Sequence, residues 1–181
     1  TFHTKNNLLK EGYIEYSPSI DISFLIEENL PASYFLKRAR YYLENNKTES
    51  TFSDISKAIE KNNGEKDCET LFLLCDAYTK TNEFDKAINS ITNAINCKRY
   101  LWDEDYQINN YRIRIDLFIK SNKLDKALDD YNIIVKLATY KIRVRNERAL
   151  FMINTLKDYK NVIKDLTFII DSITKSDLIG C

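Results

Sequence analysis

The sequence predicts an all-α fold built from stacked helical hairpins. Three observations carry this. Apolar residues recur at helical spacing through most of the chain, as in Phe35, Leu36, Ala39, Tyr42 and Leu43. Only 3 Gly and 2 Pro occur in 181 residues, too few to turn the strands of a sheet protein. One pattern also repeats: residues 71–95, 111–135 and 146–170 each read as two apolar-faced helices around a short polar turn.

Taken in order, residues 1–31 are the least regular and form an expected N-terminal arm. Pro18 pushes Ser17 out of the helical region, and a short helix is expected over about 22–29. Tyr13, Ile14, Ile20, Ile22, Phe24 and Leu25 make the arm too apolar for a solvated tail. Two placements are open: it caps the first hairpin, or it lies in a groove as a pseudo-ligand. Pro31 suits the first turn of a helix. That helix is expected over 32–45, followed by a polar loop over 45–50. A second runs from about 52 to 61, capped by Thr51 or Ser53 and stopped by Gly64 in a left-handed conformation.

The next hairpin sets Leu71, Leu74, Cys75, Ala77 and Tyr78 against Phe84, Ala87, Ile88, Ile91, Ala94 and Ile95, with its turn at 81–83. The third pairs Tyr111, Ile115, Leu117 and Phe118 with Leu124, Ala127, Leu128, Tyr131, Ile134 and Val135, turning at 121–123. The fourth pairs Ala149, Leu150, Met152 and Ile153 with Tyr159, Val162, Ile163, Leu166, Ile169 and Ile170, turning at 155–157. From Ala87 to Ala127 is 40 residues and from Ala127 to Val162 is 35, the first spacing lengthened by an insertion over 102–107. Its acids Asp103, Glu104 and Asp105 read as a solvated loop, and other Asp and Glu pairs as outer helix faces. Trp102 either packs between units or anchors a partner.

These residues resemble the tetratricopeptide repeat family. Cys75, Tyr78, Phe84, Ala87, Ile91 and Ala94 fill its small, aromatic, opening, small, bulky and small places. Leu124, Ala127, Tyr131 and Ile134, after Ile115 and Phe118, do so in the next unit, and Tyr159, Val162, Leu166 and Ile169 in the last. The first unit is degenerate, with Ala39, Tyr42, Phe52, Ile55 and Ile59 keeping the order around a longer loop. The resemblance covers 32–173, in units of about 32–62, 68–101, 108–141 and 143–173, with a tail over 174–181. It implies a right-handed superhelix whose groove, lined by the first helix of each pair, binds a peptide or helix.

The groove lining so implied is Leu36, Arg40, Phe72, Asp76, Arg112, Asp116, Arg148 and Phe151, flanked by Lys37, Leu73, Ile113 and Glu147. Phe72 and Phe151 beside Arg40, Arg112 and Arg148 suit a peptide with apolar anchors and some acid. The alternative is that both rings are covered. The chaperone carboxylate-clamp subclass is disfavoured: its five places hold Leu36, Arg40, Leu73, Asn109 and Ile113, or one unit later Phe72, Asp76, Ile113, Val144 and Arg148.

Other classes fare worse. The 27 basic and 27 acidic residues balance, so no net field draws the chain to RNA or an anionic membrane; a local patch stays open, and an RNA-reading helical repeat ranks low. No catalytic motif is found, and His3 is the only His, so no enzyme, cofactor or metal is expected. Cys68, Cys75, Cys97 and Cys181 form no CxxC pair and read as ordinary thiols of a cytoplasmic protein. No initiator Met opens the chain, so a processed piece, with any targeting segment left out, is expected. Phe168, Ile169, Ile170 and Ile173 leave apolar surface at the last hairpin, so either the native chain continues or this end self-associates. The expected function is an adaptor-like or co-chaperone-like protein-binding module. The alternative is a scaffold subunit binding through its ends.

Overall fold

The computed structural model describes residues 30–98, 103–138 and 141–179, with side chains as far as Thr174. The expected arm helix over 22–29, Trp102 and Cys181 lie outside the described residues. Among the described residues all regular structure is helical: α1 (Ala32–Glu44), α2 (Thr48–Lys61), α3 (Cys68–Lys80), α4 (Phe84–Ile95), α5 (Glu104–Lys120), α6 (Leu124–Leu137), α7 (Lys141–Phe151), a π-helical turn (Met152–Leu156) and α8 (Tyr159–Ile179). The chain divides into two compact units between Ser90 and Ile91, within α4.

One turn recurs four times. Asn46, Asn82, Asn122 and Lys157 all take left-handed backbone, with φ of 57°, 58°, 56° and 58°. In the first three the next residue folds back on the helix just ended: the amides of Lys47, Glu83 and Lys123 donate to the carbonyls of Tyr42, Tyr78 and Phe118 at 2.8, 2.9 and 2.8 Å. This closure satisfies the helix's last carbonyls and reverses the chain in three residues. Asn tolerates that conformation better than most residues, because its short amide bonds locally. Lys157 has no such advantage, and Lys157→Gly is expected to stabilise the protein by about 0.5–1 kcal/mol in chemical denaturation. A loss of stability would show that the Lys157 side chain makes contacts worth more than the strain.

The first hairpin departs from expectation. Its turn is 45–47, not 45–50, and α2 begins at Thr48. Once Lys47 closes on Tyr42, the polar residues Thr48, Glu49 and Ser50 enter the first helical turn, where Glu49 also complements the helix dipole. Thr51 is therefore no cap: it is fully buried and its hydroxyl donates to the Lys47 carbonyl at 3.0 Å. Thr51, Ile55 and Ala58 hold the places that Ala87, Ile91 and Ala94 hold in α4, all essentially without exposure. Gly64 is left-handed as expected, at φ 83°, and Asn63 precedes it at φ 55°.

The acid run at 103–105 is also not a loop. Asp103 caps α5, its carboxylate accepting from the Tyr106 amide at 2.9 Å, and Glu104 and Asp105 form the first turn. Three carboxylates gather there because the helix N-terminus presents unsatisfied N–H groups and positive potential. Asp67 caps α3 in the same way, 2.8 Å from the Thr70 amide.

The unit-one core contains Phe35, Leu36, Ala39, Leu43, Ile55, Ala58, Leu73, Leu74 and Ala77. Small residues at Ala39, Ala58 and Ala77, none of them exposed, let the helices approach closely. In unit two α5 packs on α6, α6 on α7, and α7 on α8. The core under the last hairpin holds Ala149, Met152 and Val162, with Leu128, Ile153 and Leu156 against it.

Three of the hairpins also bury ion pairs, and one of their acids, Asp130, belongs to an Asp pair expected on an outer helix face. Asp54, Asp130 and Asp165 are at most 3% exposed. Arg38 grips Asp54 through Nε and Nη2, both at 2.6 Å. Arg114 grips Asp130 at 2.8 and 2.7 Å. Each Arg stands 16 residues before its Asp. In the last hairpin Arg148 and Asp165 are 17 apart, the extra residue falling in the π-helical turn. Cys75 is buried, its thiol pushed up to about 12 chiefly by desolvation and then by neighbouring Asp76. Cys68 and Cys97, unlike Cys75, are not free thiols, so neither is the ordinary thiol expected.

Candidate functional site

In unit one the first helices of two successive hairpins, α1 and α3, lie against each other. The cleft between them, about 310 Å³, is lined by Arg40, Leu43, Glu44, Leu73, Asp76, Thr79 and Lys80. Leu43 and Leu73 are buried and form the floor, while Arg40, Glu44, Asp76 and Lys80 are exposed and form the rim. Helical spacing explains the arrangement. Arg40, Leu43 and Glu44 share one face of α1, as Leu73, Asp76 and Lys80 share one face of α3.

The rim is a charge network with slack in it. Arg40 pairs with Glu69 across the cleft at 3.3 Å, both side chains more than half exposed. Such a pair is worth little and is free to be exchanged for a ligand's charge. Lys80 is held more firmly, its ammonium donating to the Leu43 carbonyl at 2.5 Å and to Asn46 Oδ1 at 3.1 Å. Desolvation by the cleft walls raises the Asp76 pKa above the usual carboxylate range, against the pull of Arg40 and Lys80.

Unit two carries a matching cluster. Arg112 on α5 reaches Glu147 on α7 with two parallel hydrogen bonds, at 3.0 and 2.9 Å, and Arg143 joins Glu147 at 3.2 Å. Tyr131 from α6 completes it. Its ring lies 5.1 Å from that of Phe151. Its phenol pKa is raised by desolvation first, then by Glu147 and Asp116, with Arg112 opposing.

The expected lining is thus partly assembled. Arg40 and Asp76 meet in one cleft, and Arg112 and Asp116 in one cluster. Lys37 and Asp116 are exposed, and Ile113 and Phe72 half-buried, Phe72 outside the cleft lining. Three residues are misplaced by the sequence reading. Leu36 is 2% exposed and belongs to the core. Phe151 is 6% exposed and covered by Tyr131. Arg148 turns away from the first-helix face: its guanidinium bonds Asp165 at 2.8 and 2.6 Å and Asn132 at 2.6 Å. A fully buried carboxylate draws the Arg fork more strongly than solvent does.

Glu69, Lys80 and Tyr131 belong to the clusters and were missed. The signal for the first was available: opposite charges recur on successive first helices, Arg40 with Glu69 and Arg112 with Glu147. Among the described residues no group of three metal-ligating side chains occurs, and no helix is long and apolar enough to cross a membrane. No family model matches the chain, and no curated protein matches it.

Proposed function

We propose that the chain is a tetratricopeptide-like module that binds a polypeptide, without catalysis, in the cleft between the first helices of its first two hairpins. The observation that carries this is the α1/α3 cleft, whose apolar floor is rimmed by loosely paired charges. A site of that composition takes a peptide with an apolar anchor flanked by acidic and basic groups, which displace the Arg40–Glu69 pair. The recurring left-handed turn and the shared register of α2, α4 and α6 support the repeat reading. The affinity comes from shape and a few anchors, as at other extended helical surfaces. That Cys68 and Cys97 are not free thiols weighs toward an oxidising compartment rather than the cytoplasm.

A random-peptide display selection tests the reading, run with wild type beside Arg40→Glu/Asp76→Lys. Both positions are exposed, so the variant keeps its fold. Wild type is expected to enrich anchored, charged peptides, with affinity lost at least tenfold, about 1.4 kcal/mol, in the variant. Failure of wild type to enrich any peptide, or equal binding by the variant, would rule out the cleft. Salt-sensitive binding of RNA in its place would favour the nucleic-acid alternative.

A further inference from the structure

The outer face of α8 is apolar where the corresponding faces of α2 and α6 are covered. Counted from the left-handed turn residue, Ile163, Leu166 and Ile170 hold the register of Phe52, Ile55 and Ile59 in α2 and of Leu128, Tyr131 and Val135 in α6. In α2 those positions receive the next helix. Phe52 stacks on Tyr78 with ring centroids 5.0 Å apart, Ile55 is 1% exposed, and Ile59 packs on the core. In α6 Tyr131 stacks on Phe151, Val135 is 6% exposed, and Leu128 packs beside Met152. On α8 Ile163 is 63%, Leu166 41% and Ile170 60% exposed, and Tyr159 one turn earlier is 62% exposed.

We propose that a second copy of this chain covers the face, α8 against α8. Tyr159, Ile163, Leu166 and Ile170 are spaced by four, three and four residues, the seam of a helix packed at a shallow angle on another helix. No charge interrupts the seam; Lys160, Lys164 and Asp171 lie beside it. The four side chains expose on the order of 400 to 500 Å² per copy, so pairing two copies buries on the order of 1,000 Å², the lower limit of a specific interface. The dimer is accordingly weak and concentration-dependent. An antiparallel arrangement centred near Leu166 sets Ile163 of one copy against Ile170 of the other. It brings the lysine-bearing end of one helix beside the Asp171 end of its partner and opposes the two dipoles, whereas a parallel one would stack the lysines.

Sedimentation velocity over a wide concentration range tests this with the full chain. Wild-type mass is expected to rise from 21.3 kDa toward twice that value, and no further. Ile163→Glu/Ile170→Glu is expected to stay monomeric at every concentration while keeping the wild-type helical signal and melting temperature. Arg40→Glu/Asp76→Lys is expected to dimerise as wild type does, since the cleft is a separate surface. A wild type that stays at 21.3 kDa at its highest soluble concentration overturns the proposal. So does a glutamate variant that dimerises normally, or assembly beyond two copies.

Discussion

Asp165→Ala is expected to lower the unfolding free energy by about 3–5 kcal/mol, the cost of breaking a buried ion pair from one side. The Asp165 side chain has no exposure, and it is gripped from two directions. Arg145 Nη1 donates to it at 2.7 Å, and Arg148 donates through Nε and Nη2 at 2.8 and 2.6 Å. Removal strands two guanidinium groups whose side chains are only 21% and 17% exposed. Neither is wholly abandoned, since Arg148 keeps Asn132 and Arg145 keeps the Phe168 ring 4.1 Å away. Those neutral partners offset only part of a lost carboxylate. The last hairpin has little to spare, because the outer face of α8 is only partly buried within the chain. A domain is stable by only about 5–15 kcal/mol, so this substitution removes a large share. Urea denaturation gives the answer: a midpoint shift at constant slope, corresponding to less than about 1 kcal/mol, would mean that water reaches the site and replaces the carboxylate.

The same buried charges mark the limit of what the sequence conveys. The apolar side of each hairpin was legible because its spacing is helical and its turns are short and polar, and Thr81–Glu83 and Ser121–Lys123 turn where expected. The phase of the first hairpin was not. Residues 45–50 are all polar, and hydropathy cannot say whether such residues close a loop or open a helix. Only the left-handed backbone of Asn46 fixes α2 at Thr48. Asp54, Asp130 and Asp165 carry the same hydropathy as solvated acids, so hydropathy does not mark them as buried. Their partners lie on another helix, 16 or 17 residues earlier, beyond the reach of any local pattern. Arg148 was misassigned for that reason: as a cation near the aromatics it suits a groove, but Asp165 claims it first. Arg40 and Asp76 stay at the cleft rim because no buried counter-charge competes for them, and position on the helix alone decides their direction.

The second hairpin supplies the design of the other large prediction. At the register where α1 and α2 place Arg38 and Asp54, and α5 and α6 place Arg114 and Asp130, α3 and α4 place Leu74 and Ser90. These are 7% and 6% exposed, and the Ser90 hydroxyl is satisfied by the Lys86 carbonyl at 3.0 Å. The same turn therefore closes over an uncharged pair as over an ionic one. Asp130→Ser alone leaves Arg114 without its carboxylate, and Arg114→Leu alone leaves Asp130, its side chain 4% exposed, without its cation. Each single change is expected to cost about 3–5 kcal/mol. Arg114→Leu/Asp130→Ser together is expected to fall within about 1 kcal/mol of wild type, because neither charge is then left buried alone. The Arg114 bond to Thr92 at 3.1 Å and its approach to the Tyr111 ring at 5.1 Å are lost in both the single and the double variant, so they cancel from the coupling. A double-mutant cycle by urea denaturation measures that coupling directly. A double variant as destabilised as either single one would mean that the ion pair stabilises the hairpin beyond its desolvation cost, and that the uncharged solution of α3 and α4 depends on surroundings that α5 and α6 lack. Strictly additive losses would mean that the two side chains act independently and are not coupled at all.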